Sequence, residues 1–183
     1  MSRRRMHHRS PRGVRELILI NGPYERALAA VAPVVHPLVA RSLALGPPLA
    51  PALNALSVRI LGAPNMAAIL HGARILAAHP ELFSQVLERF SRVDWGRYFT
   101  VTRHLHEHSA EAYLDEVRVP TLITSGTRDF MTPVSTARRM HDRIAGSELL
   151  VVERATHYIP IEFGELLASR IGSFLDRIDR RAA

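Results

Sequence analysis

Three short runs of Leu, Ile and Val, each closed by a turn signal, constrain most strongly what this chain can fold into. The runs are Val14–Ile20, Val119–Thr124 and Glu148–Val152. Compact apolar runs of this length are typical of strands buried on both faces of a parallel sheet. The first run is followed by Asn21, which begins an Asn-Gly-Pro turn, and the second is followed by Ser125, which begins a Ser-Gly pair. The sequence therefore predicts an α/β fold with about three parallel strands.

The segment between the second and third runs carries the signals of a crossover helix. Thr132 is a favourable N-cap, Pro133 suits the first helical position, and Gly146 suits the left-handed residue that ends a helix. The whole unit has about the thirty residues that a strand, helix and strand need. After the third run, apolar residues recur at three- and four-residue spacing, which predicts an amphipathic C-terminal helix flanking the sheet. They are Ile161, Leu166, Leu167, Ile171, Phe174, Leu175 and Ile178.

The middle of the chain has no convincing strand and is rich in Ala and Leu. Its prolines are expected to divide it into several helices; they are Pro33, Pro37, Pro47, Pro48, Pro51, Pro64 and Pro80. A helical insertion of about ninety residues far exceeds an ordinary αβ connection, and long insertions of this kind form caps over α/β sites. We therefore expect a basic leader at 1–13, a core at 14–24 and 113–183, and a helical cap at 25–112.

The net charge of +7 comes almost entirely from the first fifteen residues. Six arginines precede the first acidic residue; they are Arg3, Arg4, Arg5, Arg9, Arg12 and Arg15. The rest of the chain has 18 basic residues against 17 acidic ones, and every basic residue of the chain is arginine. With no aromatic residues interleaved among the arginines and no reader motif, we expect no nucleic-acid partner.

The remaining composition excludes several other classes of site. There is no cysteine, which removes disulfides, thiol nucleophiles and cysteine-ligated zinc and is compatible with the cytoplasmic location that we expect. The uncharged stretch Ser42–Val58 is short and interrupted by proline, so no membrane span is expected, and no signal peptide is visible. His104, His106 and His108 lack the spacing of a metal motif, as do His7 and His8 in the leader.

Two polar side chains stand just beyond the ends of neighbouring strands. Asp129 follows the second run and His157 follows the third, one crossover apart. Functional groups of open α/β sheets collect at this position, and an aspartate there could hold the Nδ1–H of the histidine and fix its tautomer. The alternatives are a helix-capping aspartate and an ordinary loop histidine.

The segments that carry these residues resemble a known family. The sequences "VPTLITSGTRDFMTP", "AGSELLVVERATHYIPIE" and "LASRIGSFL" are similar to the last third of an α/β-hydrolase with a helical cap, of the esterase, enol-lactonase and epoxide-hydrolase type. "GVRELILINGPYE" is similar to the strand that leads into the cap. The resemblance implies a partial α/β-hydrolase fold, a triad acid at Asp129, a triad base at His157, a small hydrophobic ester-like substrate and no cofactor.

The nucleophile of that family is missing from the chain. It lies in a G-x-S-x-G elbow, and none of the ten glycines begins a G-x-S pattern. Without a nucleophile and oxyanion donors, an acid and a base cannot perform acyl transfer at an enzymatic rate. We therefore expect a truncated hydrolase that is inactive alone. The alternative is a non-catalytic interaction module that self-associates through an exposed sheet edge.

Other side chains have weaker claims to a function. Trp95, Tyr98 and Phe99 follow a helical spacing that is typical of cap core, and one of them could line a substrate pocket. Glu162 is expected to be an ordinary residue near the start of the last helix, where a negative charge suits the helix dipole.

Overall fold

A computed structural model of the 183-residue chain describes residues 13–25, 36–73 and 79–182. The basic leader up to Arg12, with His7 and His8, lies outside the described residues, as does Pro33.

The sheet consists of three parallel strands in the order β1, β2, β3. Their bounds are Leu17–Ile20 for β1, Thr121–Gly126 for β2 and Glu148–Val152 for β3. The predicted α/β class and strand number are confirmed. Three boundaries differ from the prediction: β1 begins three residues later, β2 begins two residues later at Thr121, and β2 continues through Ser125 and Gly126, whose composition predicts a turn.

The described part of the chain also contains seven helices and one 3-10 helix. They are α1 His36–Leu61, α2 Met66–Gly72, α3 Pro80–Ser91, α4 Trp95–Glu107, the 3-10 helix Glu111–Glu116, α5 Val134–Arg143, α6 Ile159–Glu162 and α7 Gly164–Ala182. No single described helix is long and apolar enough to cross a membrane; the segments 46–61 and 66–72 pass that test only as a pair, bent by 78°.

Some prolines of the middle region divide it as the sequence predicts, such as Pro64 between α1 and α2, and others do not. Pro47, Pro48 and Pro51 lie inside α1. Each proline removes one backbone donor from a helix, but packing of α1 against α3 and α4 can compensate for such a loss. Pro80, in contrast, does begin a helix, at the position where its missing N–H has no intrahelical partner.

The crossover helix α5 also begins differently from the prediction. Pro133 is its N-cap residue and provides no side-chain hydrogen bond, so Thr132 is not the cap. The Thr132 hydroxyl instead donates a hydrogen bond to the carboxylate of Asp129, in the loop after β2. Gly146 has φ +72°, as expected for the left-handed residue after a helix.

Helices α5 and α7 lie on opposite faces of the sheet, as the contacts of two successive residues of β3 show. Successive residues of a strand point to opposite faces. Leu149 packs with Ile123, Met140 and the rest of the α5 cluster. Its neighbour Leu150 packs with Leu167 of α7. The sheet is therefore covered on both faces, which accounts for its nearly continuous apolar strands.

Helices α1 to α4 pack mainly on one another. They contact the segment that follows β3 through a small cluster of apolar side chains. Phe83 and Leu87 of α3 form a buried cluster with Ala67 of α2. Tyr158 and Ile161, which follow β3, pack against this cluster. The segment after β3 thus links the helices to the carboxyl edge of the sheet.

Candidate active site

The loops that follow the three strands converge at the carboxyl edge of the sheet. Because the strands are parallel, their carboxyl ends meet at the same edge. β1 delivers Asn21, β2 delivers Asp129, and β3 delivers His157. Asn21 has φ +47°, in the left-handed region that asparagine tolerates better than most side chains.

Asp129 and His157 form a direct hydrogen bond. Nδ1 of His157 lies 2.9 Å from Oδ2 of Asp129. The aspartate side chain is fully buried, whereas 26% of the histidine side chain is exposed. The pair therefore joins an inaccessible carboxylate to an imidazole that solvent or a substrate can reach.

The carboxylate of Asp129 is held by a further set of donors. Its Oδ1 accepts from the backbone N–H groups of Met131 and Thr132, both at 2.8 Å. Its Oδ2 accepts from the Thr132 hydroxyl at 2.6 Å and from Nδ2 of Asn21 at 2.8 Å. With His157, five donors converge on one carboxylate. This arrangement fixes the carboxylate plane and favours its ionised form.

The electrostatic result is an acid that stays ionised. Burial alone raises the pKa of Asp129, but the hydrogen bonds from His157 and Thr132 outweigh it, so the pKa of this carboxyl lies below its ordinary value. A carboxylate that is ionised and already surrounded by donors is suited to orient an imidazole and to stabilise its protonated form.

The hydrogen bonds also determine the tautomer of His157. Since Oδ2 of Asp129 is an acceptor, Nδ1 of the neutral imidazole carries the proton and donates it. In the neutral ring Nε2 then has a lone pair, and no described residue forms a hydrogen bond with it. The ring can accept a proton at Nε2, which is what a general base requires.

The base loop is bound to the segments after β1 and β2 through its backbone carbonyls. Arg128 N–H donates to the Ala155 carbonyl at 2.9 Å, and Asn21 Nδ2 donates to the Thr156 carbonyl at 3.2 Å. A Cβ on Gly126 would lie 2.2 Å from the Ala155 oxygen. Only glycine permits this close approach, so the last residue of β2 sets how near the two loops lie.

The cap candidates Trp95, Tyr98 and Phe99 lie on α4 and contact one another, and Trp95 and Tyr98 also contact Phe90. Their ring centroids are 5.2 Å apart for Trp95–Tyr98 and 5.9 Å for Trp95–Phe99. Phe99 also fills the space beside Gly46 of α1. Trp95 and Phe99 are therefore placed in the packing between α1 and α4.

Tyr98 has a different neighbourhood, because it lies close enough to Tyr158 to influence it electrostatically. Burial, with Tyr98, Asp129 and Glu162 adding to it, raises the pKa of Tyr158. The rings of His157 and Tyr158 are 5.8 Å apart. Among the three candidates, Tyr98 is thus the one that contributes to the raised pKa of Tyr158, the residue next to His157.

No metal centre is formed by the described residues: no three His, Cys, Asp or Glu side chains lie close enough to share an ion. His104 lies on α4, exposed, and His108 is the residue at its C-terminal end. The backbone of His106 lies on the same helix, and its side chain lies outside the described part.

Three residues of the site were not identified from the sequence. The sequence indicates only a turn at Asn21, a helix cap at Thr132 and an ordinary helix-start residue at Glu162. Glu162 is in fact buried at the end of α6, where it accepts hydrogen bonds from Thr156. The burial of a carboxylate such as that of Glu162 has no local sequence signal. An asparagine directly after a strand, such as Asn21, is a local signal that could have been used.

Comparison with known proteins places these loops in a family context. Residues 94–177 match the model of the family Abhydrolase_4, described as TAP-like protein. The proline iminopeptidase of Lactobacillus acidophilus is 36% identical over 86 residues, which is 46% of this chain and 29% of that protein. The pimeloyl-[acyl-carrier protein] methyl ester esterase of Neisseria meningitidis serogroup B is 29% identical over 97 residues, covering 53% and 32% respectively.

Solved structures show the same fold. The enol-lactonase from Burkholderia xenovorans LB400 superposes with a TM-score of 0.62 at 16% identity, covering 94% of this chain and 60% of that one. The matches to the two curated relatives span about a third of each relative's length. This chain therefore corresponds to part of a larger fold.

Proposed function

We propose that this chain, a member of the α/β-hydrolase family, supplies the acid and the base of a Ser-His-Asp type hydrolase. Asp129 orients His157, and His157 takes the proton of a nucleophile and returns it to the leaving group. The observation that supports this most is the 2.9 Å bond from Nδ1 of His157 to a fully buried carboxylate. The bond directs Nε2 away from Asp129, toward any group that reaches the exposed side of the ring.

We infer that the 183 residues alone do not turn over esters. Neither a G-x-S-x-G elbow nor any G-x-S pattern occurs in the sequence. His157 would have no activated hydroxyl beside it, and the tetrahedral oxyanion would lack its donors. The acid and base would act only with a nucleophile supplied by other residues.

The substrate that we propose is a small hydrophobic ester, lactone or related compound. The proposal draws on the aromatic surroundings of His157, where Phe83 and Tyr158 make an edge contact at 4.6 Å. We further propose that residues 25–112 act as a cap that selects this substrate, with Tyr98 at its inner side. The esterase and enol-lactonase names among the related proteins agree with ester chemistry.

Hydrolysis of p-nitrophenyl acetate and butyrate tests the proposal. The chain is expected to show no turnover above the rate of its His157→Ala variant, with the exposed His104→Ala as the matched control. Turnover that His157→Ala abolishes and His104→Ala leaves would contradict the missing nucleophile.

A reconstituted protein tests the role of the base. The chain can be fused behind the strands of the Burkholderia xenovorans enol-lactonase that its own fold does not match. Turnover in this fusion should fall at least about a hundredfold in His157→Ala, which is the size of a lost general base. Equal turnover with and without His157 would contradict the proposed base.

The second candidate function is self-association through β1. This strand lies at an edge of the sheet, and the Leu17 and Asn21 N–H groups face β2. The alternation along a strand then directs the Ile18 N–H outward, where a second strand could pair with it. Proline at an outward position removes this donor without breaking the β2 ladder. A dimer on size-exclusion chromatography that Ile18→Pro converts to a monomer would favour this candidate.

A further inference from the structure

Glu162 is a buried carboxylate that binds the residue before His157. The residue is 3% exposed. Oε2 accepts from the Thr156 backbone N–H at 2.8 Å, and Oε1 accepts from the Thr156 hydroxyl at 2.8 Å. Placing a carboxylate in a buried position is costly unless donors compensate for its lost hydration. These two donors belong to the base loop itself.

The contact closes a short loop around His157. Residues 156 and 162 are joined by Glu162, and the four-residue helix α6 fills the interval. Ile159 within it is fully buried and packs with Val152 and Ala155. The backbone on the N-terminal side of His157 is therefore bound by a carboxylate, and the C-terminal side is anchored in the apolar core.

The same residue, Thr156, is also linked to Asp129 through Asn21. Its carbonyl accepts from Nδ2 of Asn21, which donates to Oδ2 of Asp129 as well. A change in the position of Thr156 would thus move His157 relative to Asp129. An imidazole displaced by a few tenths of an ångström keeps the fold but weakens the Nδ1–H bond on which its tautomer depends.

We propose that Glu162 is a positioning residue for His157, which sets the geometry of the Asp129–His157 pair by binding Thr156. The proposal rests on the proposed function, because it assigns Glu162 to the same acid and base. It requires no contact between Glu162 and the substrate.

The ¹⁵N–¹H correlations of the histidine rings in the full chain test this proposal without any turnover. The chain has ten histidines, so the His157 signals are assigned by their loss in His157→Ala. In Glu162→Gln the charge is lost and one oxygen that accepts from Thr156 becomes an amide NH₂, so neither hydrogen bond to Thr156 is charge-assisted any longer. We expect the His157 Nδ1 proton to exchange with water about tenfold faster, the size of a lost charge-assisted bond.

Two further variants keep the result interpretable. Glu165→Gln changes the same side chain at an exposed position one turn later and should leave the His157 signals unchanged. Thr156→Val removes the hydroxyl but keeps the backbone N–H, and should speed exchange about threefold. If Glu162→Gln does not fold, Thr156→Val decides the question.

The outcomes separate this proposal from the one on which it rests. If the unsubstituted chain lacks a hydrogen-bonded Nδ1 proton on His157, the acid and base pair itself is wrong. If the signal is present but Glu162→Gln, or Thr156→Val in its place, leaves exchange unchanged, Glu162 does not position the ring. Faster exchange in Glu165→Gln as well would overturn the proposal, because the effect would not be specific to Glu162.

Discussion

The strand-end loops and the helices α1 to α4 are held together by different interactions. In the loops, Asp129 and Glu162 are buried carboxylates surrounded by hydrogen-bond donors from other segments. In the helices, the contacts are mostly between apolar and aromatic side chains such as Phe90, Trp95 and Phe99. Several large apolar side chains there are exposed: Leu49, Leu56, Val58, Ile60, Ile69, Leu82, Val101 and Leu105.

This difference implies different responses to substitution. A hydrogen-bond network with a defined geometry loses several bonds when one partner changes, and the remaining buried polar groups are left unsatisfied. Apolar packing loses contacts in proportion to the volume removed and can partly relax. The loops should therefore be much more sensitive to isosteric changes than the helices are.

Asp129→Asn should have the largest effect. The amide would place NH₂ against donors from Asn21, Thr132 or His157, and the free energy of unfolding should fall by about 3–5 kcal/mol. Urea denaturation followed by circular dichroism measures this loss. A loss below about 1 kcal/mol would show that the loop network contributes no more than ordinary surface contacts.

The destabilisation caused by Asp129→Asn should depend on pH. The pKa of Asp129 is lowered in the folded state from its ordinary value of 3.8. Its contribution is thus fully present above that value and is lost as pH falls through the lower, folded-state pKa. The stability difference between the unsubstituted chain and Asp129→Asn should therefore shrink below about pH 4. A difference that grows in acid would contradict the ionised state.

Gly126→Ala and Gly46→Ala compare the two regions directly. Cβ at 126 would lie 2.2 Å from a backbone oxygen, whereas Cβ at 46 would meet the Phe99 ring at 2.6 Å. Backbone moves less readily than a ring, so we expect losses of about 3 kcal/mol and about 1 kcal/mol. Gly22→Ala, with open space around it, is the control. Equal losses of unfolding free energy in Gly126→Ala and Gly46→Ala would show that the loops are no more sensitive to substitution than the helices.

Phe99→Ala tests the aromatic packing of the helices. Removing the ring leaves space beside Gly46 and Trp95, and the half-buried position predicts a loss of about 2 kcal/mol. The ring signals of His157 should not change, because the described contacts of the Phe99 ring are with Trp95 and Tyr98 of its own helix and with Gly46 of α1. A shift of the His157 signals would show that the two regions are coupled.

Val101→Thr should have the smallest effect. The residue is 65% exposed, and surface changes of this kind stay within about 0.5 kcal/mol. Thermal unfolding of this variant should match that of the unsubstituted chain. A clear loss would mean that the exposed apolar residues of the helices are covered by another surface in solution.

The sequence predicted the strands and the two strand-end residues because their signals are local. The compact apolar runs mark β1 to β3, and the next residues along the chain carry Asp129 and His157. The predicted end of β2 is wrong because a Ser-Gly pair has the composition of a turn. Gly126 is instead required where the backbones of β2 and of the loop after β3 approach closely.

The supporting residues could not be predicted because their partners are distant in sequence or hidden by burial. Asn21 binds Asp129 across 108 positions, which no local pattern reveals. The continuity of α1 through Pro47, Pro48 and Pro51 depends on tertiary packing that overrides helix propensity. The role of Glu162 depends on its burial, which its place near a helix start did not indicate.

The tautomer of His157 is the most direct test of the central claim that the strand-end loops assemble an acid and base pair. Ring ¹⁵N shifts can be recorded at about pH 8, where an ordinary histidine is neutral. The structure predicts the Nδ1–H tautomer in the unsubstituted chain and a switch toward Nε2–H in Asp129→Asn, whose amide can donate to Nδ1. An Nε2–H tautomer in both proteins would contradict the pairing.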